Sequence, residues 1–171
     1  MRYALSLLTA CLITAAQATE VGQRAPDFGP GRWFNSAPLH LQDLRGKVLI
    51  VNIWVYSCIN CHLSLPTLKG WDAKYRREGL EIVGVHTPEL QSDRPAENVA
   101  AALKRDAVLW PVLQDNDSVT WNAYANRAWP TFYLIDRRGV VRAVYEGEIS
   151  SRYPGAIPGL ERTLRALLAE R

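Results

Sequence analysis

The stretch Trp54–Pro66, "WVYSCINCHLSLP", decides how this chain is read. Cys58-Ile59-Asn60-Cys61 is a C-x-x-C pair, a spacing that alternates between two thiols and a disulfide. Extended by His62 it becomes C-x-x-C-H, the spacing by which a c-type haem is attached. The two readings need different surroundings. A redox dithiol works best with its first sulfur at the start of a helix. A haem needs a further axial ligand on its iron.

Working outward, Lys47–Tyr56 ("KVLIVNIWVY") is a nearly continuous β-branched and aromatic run, the pattern of a strand buried on both faces in a parallel sheet. A helix is expected from about Cys58 to Arg77, with Leu63, Leu68, Trp71 and Tyr75 as its apolar stripe and Gly79 ending it. Pro66 falls inside that helix and is expected to kink it. Leu80–His86 reads as a second strand, and Asn98–Arg105 as a helix with Pro95 near its start. A short apolar segment, Trp110–Leu113, precedes "DNDS", where Asp115, Asp117 or Ser118 can cap a helix carrying Val119, Trp121 and Tyr124. "TFYLID" and "VVRAVYE" are strands joined by a turn at Arg137-Arg138-Gly139. A last helix, about Ile157 to Ala169, puts Leu160, Leu164, Leu167 and Leu168 on one face.

The order β-α-β-α-(β)-α-β-β-α makes the early strands parallel and the last two an antiparallel hairpin. Ligand chemistry in such sheets gathers beyond the carboxyl ends of the strands, and Cys58 lies two residues past the first strand.

The chain has 171 residues, enough for one domain with a sizeable core. Its formal net charge of +3 is mixed along the chain, and no Lys/Arg run exceeds pairs such as Arg76-Arg77, so a nucleic-acid partner is excluded. Residues 1–18 differ from the rest: Arg2, then apolar Ala4 to Ala16, then the A-x-A site Ala16-Gln17-Ala18. That is a secretory signal, and the apolar run is short for a membrane span. Leu8-Thr9-Ala10-Cys11 also resembles a lipobox, which would lipidate Cys11 and supply the only membrane contact. Either way the product is exported, periplasmic or otherwise outside the cytosol. Residues 19–46, rich in Gly and Pro, read as an irregular arm or short hairpin ahead of a domain over 47–171.

Export leaves two cysteines three residues apart. A bridge closing so small a loop constrains the unfolded chain very little, so a structural staple explains the pair poorly. Position explains it better. Cys58 at a helix N-terminus faces unpaired N–H groups and the positive end of the helix dipole, and both favour the reactive thiolate. Cys61 is one turn later on the same face, placed to resolve a mixed disulfide formed at Cys58.

The rival readings lack partners. For haem, His62 would be the proximal ligand, yet the only methionine is Met1, and His40 and His86 have no placement that argues for ligation. Copper could use Cys58, Cys61 and His62 or His86, without a second Met/His cluster to support it. "DNDS" lacks the glycine and terminal glutamate of a calcium loop. No cofactor or metal is expected.

"WVYSCINCHLSLP", "GLEIVGVHTPE", "LQDNDSVTWNAYANRAWPTFYLIDRRG" and "YEGE" together resemble the thioredoxin-like superfamily, in particular the exported TlpA/ResA-type thiol-disulfide oxidoreductases, and most of all the thioredoxin-like domain of DipZ-type proteins. The resemblance implies an α/β three-layer sandwich with a central mixed sheet and flanking helices. It implies that Cys58 and Cys61 are catalytic and that Pro130 is a cis-proline beside them. Trp129 would then offer its backbone to an incoming partner strand. Partners would be cysteine-containing exported proteins and a membrane thiol-reducing conduit, with reduction the favoured direction.

Three departures from the family stand out. The buried acid of thioredoxins, six residues before the first cysteine, is Asn52. The glutamate that many TlpA/ResA-type proteins carry three residues after the second cysteine is Ser64, and the usual tryptophan before the first cysteine is Ser57. Glu89 is the replacement proton relay put forward here, against the plainer reading of a solvated loop carboxylate. The missing acids also keep open a thioredoxin-like interaction module without redox chemistry.

Overall fold

The computed structural model describes residues 19–170. The signal reading of residues 1–18 and the lipobox at Cys11 lie outside the described residues.

Six strands form one sheet in the order β1-β4-β3-β2-β5-β6. They are β1 (Arg32–Phe34), β2 (Val48–Trp54), β3 (Leu80–His86), β4 (Val112–Gln114), β5 (Thr131–Ile135) and β6 (Val141–Glu146). The helices are α1 (Ile59–Tyr75), α2 (Ala96–Arg105), α3 (Val119–Ala123) and α4 (Ala156–Ala169). The uninterrupted apolar run of β2 puts it at the centre, parallel to β3 on one side and antiparallel to β5 on the other, with all seven of its residues buried. β3 pairs parallel with β4, and β5 with β6 antiparallel. The sheet is mixed, as expected.

Alternation along the strands divides the core into two layers. Ile50, Trp54, Ile82, Phe132 and Leu134 face Leu68 and Trp71 of α1, Val99 and Leu103 of α2, and Leu160 and Leu164 of α4. Leu49, Val51, Ile53, Val83 and Tyr133 face the other way, onto Ala25 and Phe28 of the N-terminal arm and Tyr124 beyond α3. This is the three-layer sandwich of the thioredoxin-like fold. Each fully buried aliphatic side chain contributes about 1.5–3 kcal/mol relative to exposure.

The arm is less irregular than its glycines and prolines suggest. Arg32–Phe34 adds an edge strand against β4, with Trp33 opposite Leu113. The first helix starts and stops where expected, ending through a 3₁₀ turn at Arg76–Glu78 and Gly79 at φ 103°. Its buried stripe is Cys61, Ser64, Leu65, Leu68, Trp71 and Tyr75. Leu65 takes the place expected for Leu63, which is only half-buried, because the facing core sets the phase of the stripe. Pro66 lies inside α1 on its exposed side, and the helix runs unbroken through it.

At "DNDS" the cap comes from the first of the three candidates, Asp115. Ser118 occupies the position before α3 at φ 57° and its side chain caps nothing. Asp115, fully buried, instead accepts from Thr120 N (3.1 Å) and Trp121 N (2.9 Å) and from the Thr87 hydroxyl (3.2 Å). It satisfies the first turn of α3 from four residues upstream and ties that turn to the end of β3.

Candidate active site

The chain leaves β2 at Trp54, turns through Val55-Tyr56-Ser57 and enters α1 at Cys58. Cys58 is the N-cap residue, with extended backbone (φ −82°, ψ 118°), and its sulfur accepts a hydrogen bond from Cys61 N at 3.4 Å. A thiolate here does what a serine or aspartate oxygen does at other helix starts, taking up an N–H that the helix leaves unpaired. Cys58 is half-buried, whereas Cys61 lies beneath it, 3% exposed.

Burial and hydrogen bonding separate the two thiols sharply. Cys58 is lowered to about 6: the Cys61 thiol donating to it is the largest cause, burial works against it, and the N–H groups of Cys61 and Asn60 help. Cys61 is raised far above the ordinary thiol range, first by burial and then by that same bond to Cys58. The site thus presents one accessible sulfur ionised at neutral pH and one sulfur kept protonated under it. Such a pair can exchange disulfides stepwise, through attack by the outer sulfur and release by the inner one.

The Trp129-Pro130 peptide bond is cis. The Trp129 carbonyl lies 3.9 Å from the Cys58 sulfur, and the Pro130 carbonyl accepts from Gly147 N at 2.8 Å. The Trp129 indole packs on Trp121, with ring centroids 4.3 Å apart, and donates to the Thr87 carbonyl at 3.1 Å. Half-buried, it forms one wall of the site. Glu89 is exposed on the loop after β3, and its charge raises both thiols. Cys58, Cys61, Trp129, Pro130 and Glu89 are therefore brought to one end of the sheet.

The three departures have structural counterparts. Asn52, 3% exposed, makes long bonds of 3.4 Å to the Ile53 and Thr131 carbonyls. The Ser64 hydroxyl donates to the Asn60 carbonyl (2.8 Å) and accepts from Ile149 N (3.0 Å), pinning the strand-to-helix connection that follows β6 to α1. The Ser57 hydroxyl donates to the buried carboxylate of Asp93 at 3.1 Å. The ring nitrogens of His62 face the Tyr56 carbonyl (2.6 Å) and Asp106 (3.4 Å), so its imidazole is engaged by the protein on both sides.

The sequence offers Asp115 as a cap for α3 but not its bond to the Thr87 hydroxyl, and it does not single out Asp93. Asp93 had one available signal: it stands three residues after Leu90 and accepts from Leu90 N (2.8 Å), the local bond of a helix start. Its long-range bond to Ser57 had none.

Fold and dithiol together define a thioredoxin-like domain with a C-x-x-C pair at a helix N-terminus. The chain matches the AhpC/TSA family over residues 21–144 and belongs to it. It is 41% identical over 145 residues to Protein DipZ of Mycobacterium bovis, an alignment covering 82% of this chain and 21% of DipZ. The chain thus spans about a fifth of that relative's length. It is 30% identical over 137 residues to the thiol-disulfide oxidoreductase ResA of Geobacillus thermodenitrificans, covering 80% of this chain and 75% of ResA. Among solved structures, one from Chlorobium tepidum assigned as a thiol:disulfide interchange protein DsbE superposes with a TM-score of 0.77 at 27% identity, over 89% of this chain and all of that one.

Proposed function

We propose that this chain is an exported thiol-disulfide oxidoreductase that reduces disulfides in partner proteins. The observation that carries the reading is the split between a half-buried Cys58 lowered to about 6 and a buried Cys61 held protonated. The Cys58 thiolate attacks a partner disulfide, the partner's leaving sulfur departs as a thiolate, and a mixed disulfide forms. Cys61 then loses its proton and attacks the Cys58 sulfur. The partner leaves with two electrons gained, and the Cys58–Cys61 bridge holds the oxidation. A membrane thiol-reducing conduit returns the pair to thiols. Trp129 and the Pro130 turn are where the partner strand lies, beside the sulfur that attacks it.

The reducing direction is favoured by the family resemblance and by Cys58 itself. Its value lies nearer to the pKa of about 7 in thioredoxin than to the 3.5 or so of DsbA, where the reduced form is strongly stabilised. Three measurements test the proposal. Cys58→Ala abolishes reduction of a protein disulfide while leaving the fold intact, and Cys61→Ala traps a mixed disulfide with the natural partner. The reduction potential falls near or below about −250 mV; a value between about −180 and −120 mV reverses the direction. Unchanged turnover in Cys58→Ala overturns the mechanism.

A further inference from the structure

The segment between β3 and α2 is fastened to the dithiol more heavily than a connecting loop requires. Thr87 N donates to the Trp54 carbonyl, and the Thr87 carbonyl accepts the Trp129 indole, each at 3.1 Å. The Ser92 carbonyl accepts the Tyr56 hydroxyl at 2.5 Å. Asp93, with no exposure, gathers three donors on one carboxylate oxygen: the Ser57 hydroxyl (3.1 Å), Glu89 N (3.2 Å) and Leu90 N (2.8 Å). Burying a carboxylate is costly, and these charge-assisted bonds offset part of the cost, the other oxygen of Asp93 having no partner among the described residues.

The residues at the far ends of these bonds are the turn that leads into Cys58 and the tryptophan whose carbonyl lies against its sulfur. Asp93 therefore clamps the backbone of Glu89 and Leu90 to the turn carrying the reactive sulfur. What the clamp displays is exposed: the Glu89 carboxylate, and Leu90 at 56% exposure. Glu89 is the one charged side chain outside the dithiol that acts on both sulfurs; its effect is small beside burial and hydrogen bonding, and it disfavours the thiolate. The clamp fixes the Glu89 backbone and leaves its carboxylate exposed at the mouth of the site, where a basic group of a docked partner can meet it.

We propose that Glu89 and Leu90, presented by the Asp93 clamp, form a docking lip that favours partner segments with lysine or arginine next to the reacting cysteine. The inference rests on the exchange reaction proposed above. Leu90 supports the aliphatic stem of the partner's side chain while Glu89 meets its charged head. The chain's own net charge of +3 opposes a basic partner at a distance. Salt limits that opposition, because the Debye length is about 8 Å at physiological ionic strength, and the charge at the contact decides.

The test uses disulfide-linked dimers of two short peptides that differ only in a lysine or a glutamate after the cysteine. Release of peptide thiol by the reduced protein is followed by chromatography. Each rate is divided by the rate with 2-mercaptoethanol, which removes the intrinsic reactivity of the disulfide. The lysine peptide is reduced about two- to fivefold faster at physiological ionic strength, the size expected of one exposed ion pair. The preference fades at 1 M salt, where the Debye length is about 3 Å. Glu89→Gln brings the ratio near one, and Glu89→Lys inverts it. A wild-type ratio near one, or a ratio that survives in Glu89→Gln, overturns the docking lip. A Glu89→Gln protein that slows both peptides alike, with an altered pH profile, makes Glu89 a proton relay instead. Failure of the wild type to reduce either peptide refutes the exchange reaction itself.

Discussion

The ionisation of Cys58 allows the sharpest prediction, because its causes are separable. With a pKa of about 6, roughly nine-tenths of the Cys58 sulfur is thiolate at pH 7, against about one-hundredth for a thiol at 9.0. That is a gain of about 90-fold in the attacking species. A weaker base is a weaker nucleophile, however: with a Brønsted slope of about 0.4–0.5, three pH units cost roughly 15–30-fold in intrinsic reactivity. The net advantage at pH 7 is then only about three- to sixfold, so the absolute rate discriminates poorly and the midpoint discriminates well. Alkylation of reduced protein by iodoacetamide, followed as loss of free Cys58 across pH 4–10, should titrate with a midpoint near 6. Cys61→Ala removes the largest cause, the thiol that donates to Cys58. A hydrogen bond to a charged acceptor contributes about 1.5–3 kcal/mol, so the midpoint should rise by about one to two pH units. A wild-type midpoint above 8, or one that stays in place in Cys61→Ala, refutes the assignment of the thiolate to the donor beneath it.

Two further expectations concern the scaffold. His86 is fully buried, its ring between Trp54 and Tyr56, and burial lowers it to about 4 from 6.5. The unfolded chain therefore binds a proton between those values that the folded chain refuses, so stability present above pH 6.5 is lost as pH falls toward 4, by up to about 3 kcal/mol. Urea midpoints should fall across that window in the wild type and much less in His86→Phe; parallel curves would refute the linkage. Asp115→Ala strands the N–H groups of Thr120 and Trp121 and the Thr87 hydroxyl, and should destabilise the fold by about 2–4 kcal/mol in thermal or urea unfolding. A loss below about 0.5 kcal/mol would show that the cap is replaced locally.

Much of the molecule was legible in the chain because the signals are local. β2 and β3 are continuous apolar runs and emerged as fully paired neighbours, Val48 opposite Leu80 through Trp54 opposite His86. α4 shows its leucine face at helical spacing, and all four of those leucines are buried. The C-x-x-C pair follows a strand at the distance that places Cys58 on a helix start, which is geometry that three residues of turn can set. The cis bond before Pro130 was legible only through family resemblance, since local preference favours trans.

What the sequence by itself determined is where the sulfurs sit and which order of strands and helices carries them, because periodicity and capping act within a few residues of one another. The tertiary structure alone decided how unlike the two sulfurs are, since that depends on the depth at which α1 packs and on which thiol faces the other. It alone placed Asp93 under Ser57 and Arg32–Phe34 beside β4, joining residues 36 and more than 75 positions apart, and tied Asp115 to the Thr87 hydroxyl 28 positions away. Such bonds form only after the sheet has brought distant segments together, and a carboxylate in the chain carries no mark of which donors will reach it.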